Sequence, residues 1–436
     1  MINMKKTRRV YNHDAKMKAL LVEPDFPIPP KSKNHKNFLP IGLLKIGAYL
    51  KNTKIVTKVK LVRGNSRAGF VPDEIWITSL FTYWSEYFWD SVKFYRSNYP
   101  NSAIRVGGIY VSLHFGNKIF KEKCRQYKVE PYFGLHNEAE KCLPDYNLIE
   151  TNPHPLNYQI IHSTRGCPRH CGFCYAWKLE PVISSKRSIA NEVCSNKLVF
   201  YDNNLLMNAH IDELLEEVAR LKWKDKAVRC ESQSGFDGRI LEERPELALA
   251  LKKARFDNPR IAWDGKYNQW KHIEKQIRIL EKAGYPAKDI SVFMIFNWFI
   301  TFLELERKRL KCWGWKVQIT DCRYQPVAQL HDNFNSRIPQ TSEDYFVHPK
   351  WSDAEVKQFR RNVRKQNICV RHGFKFHSGL LERKGVSMNL SMKLRYLPKK
   401  AILKRITDAW FPDEICKPSM EVSSKSDEND IRRKDA

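Results

Sequence analysis

The stretch STRGCPRHCGFCYAW, Ser163–Trp177, gathers three of the chain's 11 cysteines, Cys167, Cys171 and Cys174, within eight residues. Gly166, Pro168 and Gly172 make it a loop, and the apolar run YQIIHS before it reads as a strand. Three readings compete. Unrelated buried thiols are a poor account of three cysteines packed this tightly. A structural zinc site wants four ligands, usually from two C-x2-C pairs. Only Cys171 and Cys174 form such a pair, and His170 would have to close the tetrahedron inside one tight loop. An iron–sulfur cubane has four irons, so three thiolates leave one iron open to an exogenous ligand. An open coordination position is how metals bind and activate substrates.

The surrounding periodicity decides where that loop sits. Downstream, KLVFYDN, AVRCESQS, NPRIAWDG, DISVFMIF and WKVQITDCRY read as strands. IDELLEEVARLKW, LALALKKARF and NQWKHIEKQIRILEKAGY read as the helices between them; Ile211, Leu214, Leu215, Val218 and Leu221 form one apolar stripe, and Trp270, Ile273, Ile277 and Leu280 another. This repetition predicts a partial (β/α) barrel over residues 158–335, with chemistry at the carboxyl ends of its strands. Upstream, MKALLV, KIVTKVKLV, DEIWITSL and AIRVGG alternate with the helices IGLLKIGAYLKN and WDSVKFYRSNYPN, which predicts a Rossmann-like parallel sheet over 17–140. Its ligand rim would be the Pro-rich loop after the first strand and the Gly107-Gly108 turn. Neither G-x-G-x-x-G nor G-x-x-x-x-G-K-[ST] is present, so a dinucleotide or nucleoside triphosphate is not expected there. Residues 141–157 read as a linker. Residues 336–417 read as mainly helical, opened by a capping box at Ser352–Glu355. Residues 1–16 form a basic extension, and 418–436 have the composition of a disordered tail.

The whole chain has 436 residues, 42% hydrophobic and 12% aromatic, enough to bury about two to three domain cores. Its longest apolar run, ISVFMIFNWFITFL (290–303), is too short to cross a bilayer and contains Asn297. The basic N-terminus lacks an apolar h-region, so no membrane partner and a cytoplasmic location are expected, with the cysteines reduced or metal-bound. The formal net charge of +28 favours anionic partners. Arg307-Lys308-Arg309 and Arg360-Arg361, near Trp313, Trp315 and Phe359, are the basic patches that raise nucleic acid as a partner.

C-x3-C-x2-C with Phe173 before the last cysteine, on a loop after the first barrel strand, resembles the radical S-adenosylmethionine superfamily. Thr164-Arg165-Gly166-Cys167-Pro168, the Pro-rich EPDFPIPP followed by LPIGLLKIGAYL, and Val106-Gly107-Gly108 are similar to members with an N-terminal cobalamin-binding-type domain. The resemblance covers roughly residues 17–330. It implies a [4Fe-4S] cluster on Cys167, Cys171 and Cys174 and S-adenosylmethionine chelated by the open iron. Reductive cleavage to a 5′-deoxyadenosyl radical would follow, with an electron donor of flavodoxin or ferredoxin type. It also implies roles for particular residues. Asp202, Asn203 and Asn204 stand where the family's Gly-Gly-Glu-like segment holds the amine, although Asp-Asn-Asn also suits an Asx turn. Glu231 and Gln233 share a strand face within reach of the ribose, and Phe173 and Tyr175 flank the cofactor. Cobalamin at the Gly107-Gly108 rim is a further implication, but D-x-H-x-x-G is replaced by Glu23-Pro24-Asp25-Phe26-Pro27, and His35 stands elsewhere. Only Cys124 and Cys142 precede the motif, which argues against the methylthiotransferase branch. Cys312, Cys322 and Cys369 lack the paired spacing of an auxiliary cluster, and buried free thiols are the default. Two alternatives stay open: a nucleic-acid-modifying radical enzyme, and a non-catalytic RNA-binding protein held by a structural metal.

Overall fold

A computed structural model of the chain describes residues 17–27, 39–53, 56–149 and 156–374. The basic extension, His35, Cys416, the tail and the expected helical stretch beyond 374 lie outside the described residues.

The chain is a mixed α/β protein whose first part is a five-stranded parallel sheet. Its elements are β1 (Met17–Glu23), α1 (Ile41–Asn52), β2 (Val56–Arg63), β3 (Glu74–Ser79), α2 (Ser85–Asn98), β4 (Ala103–Gly108), α3 (Ile109–His114), α4 (Lys118–Gln126), β5 (Val129–Pro131) and α5 (Asn137–Glu140). The strand order is β2-β1-β3-β4-β5, a doubly wound order that reverses between β1 and β3. The apolar run in β1 is continuous because both sheet faces are covered. Leu20 and Val22 join Ile75, Ile77, Phe88 and Val92 on one face, while Ala19 and Leu21 join Leu43, Leu44 and Trp76 on the other. The period of two thus feeds two separate cores from one strand, each buried side chain stabilising by about 2 kcal/mol.

The second part contains β6 (Gln159–Ile161), β7 (Thr164–Arg165), α6 (Ala176–Leu179), β8 (Ser184–Ser185), β9 (Lys197–Phe200), α7 (Ile211–Arg220), β10 (Lys222–Trp223), β11 (Lys226–Ala227), β12 (Arg229–Ser232), α8 (Gly238–Glu243) and α9 (Glu246–Lys253). It continues through β13 (Arg260–Ala262), α10 (Trp270–Lys282), β14 (Ser291–Phe296), α11 (Phe302–Trp315), β15 (Gln318–Arg323) and α12 (Asp353–His372). Two three-stranded parallel sheets result, ordered β12-β9-β6 and β13-β14-β15. Backbone bonds from Cys230 N to Arg255 O (3.0 Å) and from Phe236 N to Arg260 O (2.7 Å) connect their neighbouring edges. One apolar core runs beneath both sheets, from Ile161 and Phe200 through Trp263 and Phe296 to Phe359 and Val363 of α12.

Two sequence expectations change here. Helix α11 lies in a stretch that the periodicity left unassigned, because Lys308 and Arg309 occupy its buried face. The stretch 340–352 is irregular rather than helical. Asn297 captures it at the end of β14, donating to Phe346 O (2.7 Å) and accepting from His348 N (2.8 Å), and Pro349 follows. The capping box at Ser352 and Glu355 opens α12 as expected, and Gly373 closes it in the left-handed conformation.

The two parts touch through side chains as well as backbone. Arg165 Nη2 reaches Glu140 Oε2 (2.7 Å), Ser85 Oγ donates to Leu330 O (2.9 Å), and Trp84 pairs with His331 in an isolated antiparallel bridge. Among the described residues, no helix is long and apolar enough to cross a membrane.

Candidate functional site

The cysteine loop leaves β6 at a corner held by Asp202, which stands just past the end of β9. Asp202 is fully buried and accepts from Ser163 N (2.7 Å), Ser163 Oγ (3.2 Å), Thr164 Oγ1 (2.9 Å) and Thr164 N. Burial pushes this carboxyl up to about 6, against the pull of those bonds. Both of its oxygens are spent on the loop, so Asp202 positions the cysteines rather than offering itself to a ligand. Gly166 then turns with φ +74; a β-carbon there would lie 2.7 Å from Val182 O, where the β7–β8 hairpin closes.

Two further carboxylates tie the loop to neighbouring strands. Glu180 accepts from Arg165 Nη1 (2.9 Å), Gly166 N (3.1 Å) and Asn203 Nδ2 (2.7 Å). Asp237, the N-cap of α8, accepts from Arg169 Nε (3.0 Å), Arg239 Nε (3.0 Å) and Asn204 Nδ2 (3.1 Å). Burial would raise Asp237, but Arg239 and Arg169 outweigh it and hold the carboxyl below its ordinary value.

The three cysteines are half-buried free thiols. Burial pushes the Cys171 thiol up, and Cys174, Asp264 and Cys167 add to this while Arg239 opposes it. Cys167 and Cys174 therefore stand near enough to Cys171 to act on it, with the Arg239 guanidinium beside it. Among the described residues, no three His, Cys, Asp or Glu side chains converge as the ligands of a single metal ion. Three thiolates on a cubane each hold a different iron, so that convergence is not what a cluster requires of them.

Around the loop, buried polar atoms without hydrogen-bond partners collect just past the carboxyl ends of the parallel strands. They are Tyr201 Oη and Asn204 Oδ1 after β9, Gln233 Oε1 after β12 and Asp264 Oδ1 after β13, together with Trp177 Nε1 on α6; others lie elsewhere in the second part, at Gln276, Tyr285, Asp321, Arg323, Asp332 and Arg360. An unmade buried hydrogen bond costs about 1–3 kcal/mol, so these atoms are open to a polar partner, a water or a ligand. Glu231 lies inside this rim but is already paired with Arg260. Phe173 and Tyr175 are half-buried on the loop itself. Asp264 was not marked by the sequence reading beyond ending its strand. It is pushed up to about 6, by burial foremost, with Lys308 pulling the other way. Lys308 Nζ holds the carbonyls on either side of it, Trp263 O (2.5 Å) and Gly265 O (2.9 Å).

In the first part, Gly107 and Gly108 reach different ends. Gly108 has φ +98, and a β-carbon would lie 2.2 Å from Ser79 O, so it permits the close approach of β4 to β3. Gly107 lines a cavity of about 140 Å³ with Gly42, Trp76, Tyr132, His136 and Glu140. Glu140 is the carboxylate that binds Arg165 and also Lys45 Nζ (2.7 Å), placing the cavity one ion pair from the cysteine loop.

The basic triplet of the sequence reading divides in space. Lys308 and Arg309 are fully buried, Arg309 against Glu306 and Gln366, and only Arg307 is exposed. Glu180, Asp237 and Asp264 are the site residues that sequence reasoning missed. Only Asp237 carried a signal, as an N-cap residue ahead of GRILEE. No protein-family model matches this chain, and neither does any curated protein.

Proposed function

We propose that the chain is a radical S-adenosylmethionine enzyme. The observation carrying this reading is the pairing of a three-cysteine loop with a rim of unsatisfied polar atoms off the strand ends. The parallel sheets, linked at Arg255–Asp257 and Arg260, support an arc of (β/α) barrel with that rim at its mouth. Cys167, Cys171 and Cys174 would hold a [4Fe-4S] cluster, which when bound supplies the electron that cleaves the C–S bond of S-adenosylmethionine. Asp202, Glu180 and Asp237 keep the three sulfurs on one loop at a set distance from β9. Asn204, Gln233 and Asp264 offer acceptors to the ammonium and hydroxyl groups of the bound molecule. Trp177 offers a donor.

The first-part cavity supports a flat heterocycle, since Trp76, Tyr132 and His136 wall it. Its volume fits the base of a corrinoid's nucleotide tail and not a corrin ring. Cobalamin therefore belongs to the proposal as a second cofactor, and corrin absorbance after purification with cobalamin tests it separately.

Anaerobic reconstitution tests the main reading. About four iron and four sulfide per chain, with 5′-deoxyadenosine formed after reduction, are expected. Stoichiometric zinc without cleavage overturns it. The triple variant C167A/C171A/C174A should keep its far-ultraviolet circular dichroism and lose both iron and cleavage. Cleavage by that variant would move the site elsewhere.

A further inference from the structure

Helices α10 and α11 meet on the outside of the second part, and cations lie over aromatic rings on the seam between them and on the far flank of α11. Arg307 lies over Tyr267 (4.3 Å to the ring centre), Lys311 over Trp270 (3.8 Å) and Lys316 over Trp313 (3.5 Å). Lys271 adds a fourth, 5.8 Å from Trp270. Arg307, Lys316 and Lys271 are exposed, and Lys311, Tyr267, Trp270 and Trp313 are half-buried. Among the described residues, none of these four cations pairs with a carboxylate. Ion pairs elsewhere on the same helices, such as Arg278 with Glu281, show that carboxylates were available to neutralise them.

Tyr267 lies in the loop that leaves β13 through Asp264, one of the unsatisfied rim residues, and Trp270 opens α10 directly after it. The Arg307, Lys311 and Lys271 pairs therefore start at the strand ends and follow the α10–α11 seam, while the Lys316–Trp313 pair stands on the α12 flank of α11. We infer that this face binds single-stranded nucleic acid, and that the substrate delivered to the rim is a nucleotide within such a strand. The inference rests on the proposed radical chemistry for what happens at the rim, but not for the binding. Unneutralised cations follow a phosphate backbone, and ring faces beside them accept stacked bases without regard to sequence. An acidic protein would use the cations and leave the ring faces idle.

The test is fluorescence anisotropy of a labelled single-stranded oligouridylate on the full chain over a range of salt concentrations. Wild type should bind with steep salt dependence. K271Q/R307Q/K311Q should weaken binding about tenfold or more and lower the salt slope by about 2, as loss of three phosphate contacts requires. Trp270→Leu, which stays apolar but removes the ring face, should weaken binding about tenfold and leave the slope unchanged. K118Q/K121Q/R125Q, which removes three exposed charges from α4, should change affinity less than twofold. No binding by wild type, equal losses from the two triple variants, or equal competition by polyglutamate overturns the inference. Cluster content and S-adenosylmethionine cleavage, measured on the same preparations, report the radical reading independently.

Discussion

The two parts of the chain differ in how they treat buried polar groups. In the five-stranded part, buried polar groups close on one another. Ser79 Oγ donates to Gly107 O (2.8 Å) and accepts from Val111 N (3.1 Å), Ser102 Oγ donates to Pro72 O (2.5 Å), and Trp89 Nε1 donates to Tyr110 Oη (3.0 Å). In the second part many do, as at Asp202 and Asn297, but not all. Every buried side-chain nitrogen or oxygen without a partner among the described residues lies at Trp177 or beyond. A folded chain tolerates such losses where a ligand makes them good, and all of those found lie in the second part.

The sharpest test of that contrast is Asp202, a fully buried residue at the rim with both oxygens satisfied. Replacing it with alanine strands the buried donors of Ser163 and Thr164, at about 4 kcal/mol summed over the lost bonds. Chemical denaturation should show the loss, and iron content should fall with it. A neutral result would break the claim that Asp202 is structural. In the first part, Gly108→Ala should cost about 3 kcal/mol, because it forces a left-handed φ and a backbone clash together. Gly107→Ala, whose β-carbon meets nothing closer than 3.9 Å, should leave the melting temperature nearly unchanged.

Asp264 makes the division visible in pH. Its folded value of about 6 lies above its ordinary value of 3.8, so the folded state holds the proton more tightly. Its stabilising contribution is complete below about 3.8 and is lost as pH rises through about 6, by roughly 2–3 kcal/mol. Urea midpoints of wild type against Asp264→Asn, taken from pH 4 to 7, should converge at the acid end and separate towards neutral, with the variant the more stable. The smallest effect is the most direct comparison. Ser79→Ala should cost about 1–2 kcal/mol, since it leaves Val111 N without its acceptor. Gln233→Met, which removes an already unsatisfied oxygen, should stay within about 0.5 kcal/mol of wild type while weakening S-adenosylmethionine cleavage. Equal costs at both positions would erase the distinction.

Local pattern carried much of this molecule. The period-two runs around Leu20–Val22 and Ile75–Ile77, the stripe from Ile211 to Val218, and the capping box at Ser352 all formed as read, because each depends on neighbours within one turn or one strand. The cysteine spacing was equally local. The stretch 340–352 went astray because Asn297, some fifty residues away, supplies the bonds that draw it off a helix. The basic triplet went astray for a related reason: sequence reports that Lys308 and Arg309 are charged, and not that carbonyls, Glu306 and Gln366 wait for them inside.

By itself, then, the sequence determined an α/β chain with three thiols on a loop behind a strand, since strand period and cysteine spacing are short-range properties. Only the tertiary structure decided what holds that loop, which rim atoms remain unsatisfied and which cations reach the surface. Those depend on side chains such as Glu180, Asp237 and Asp264 meeting partners distant along the chain. Burial and pairing are properties of the packed whole, and no local pattern encodes them.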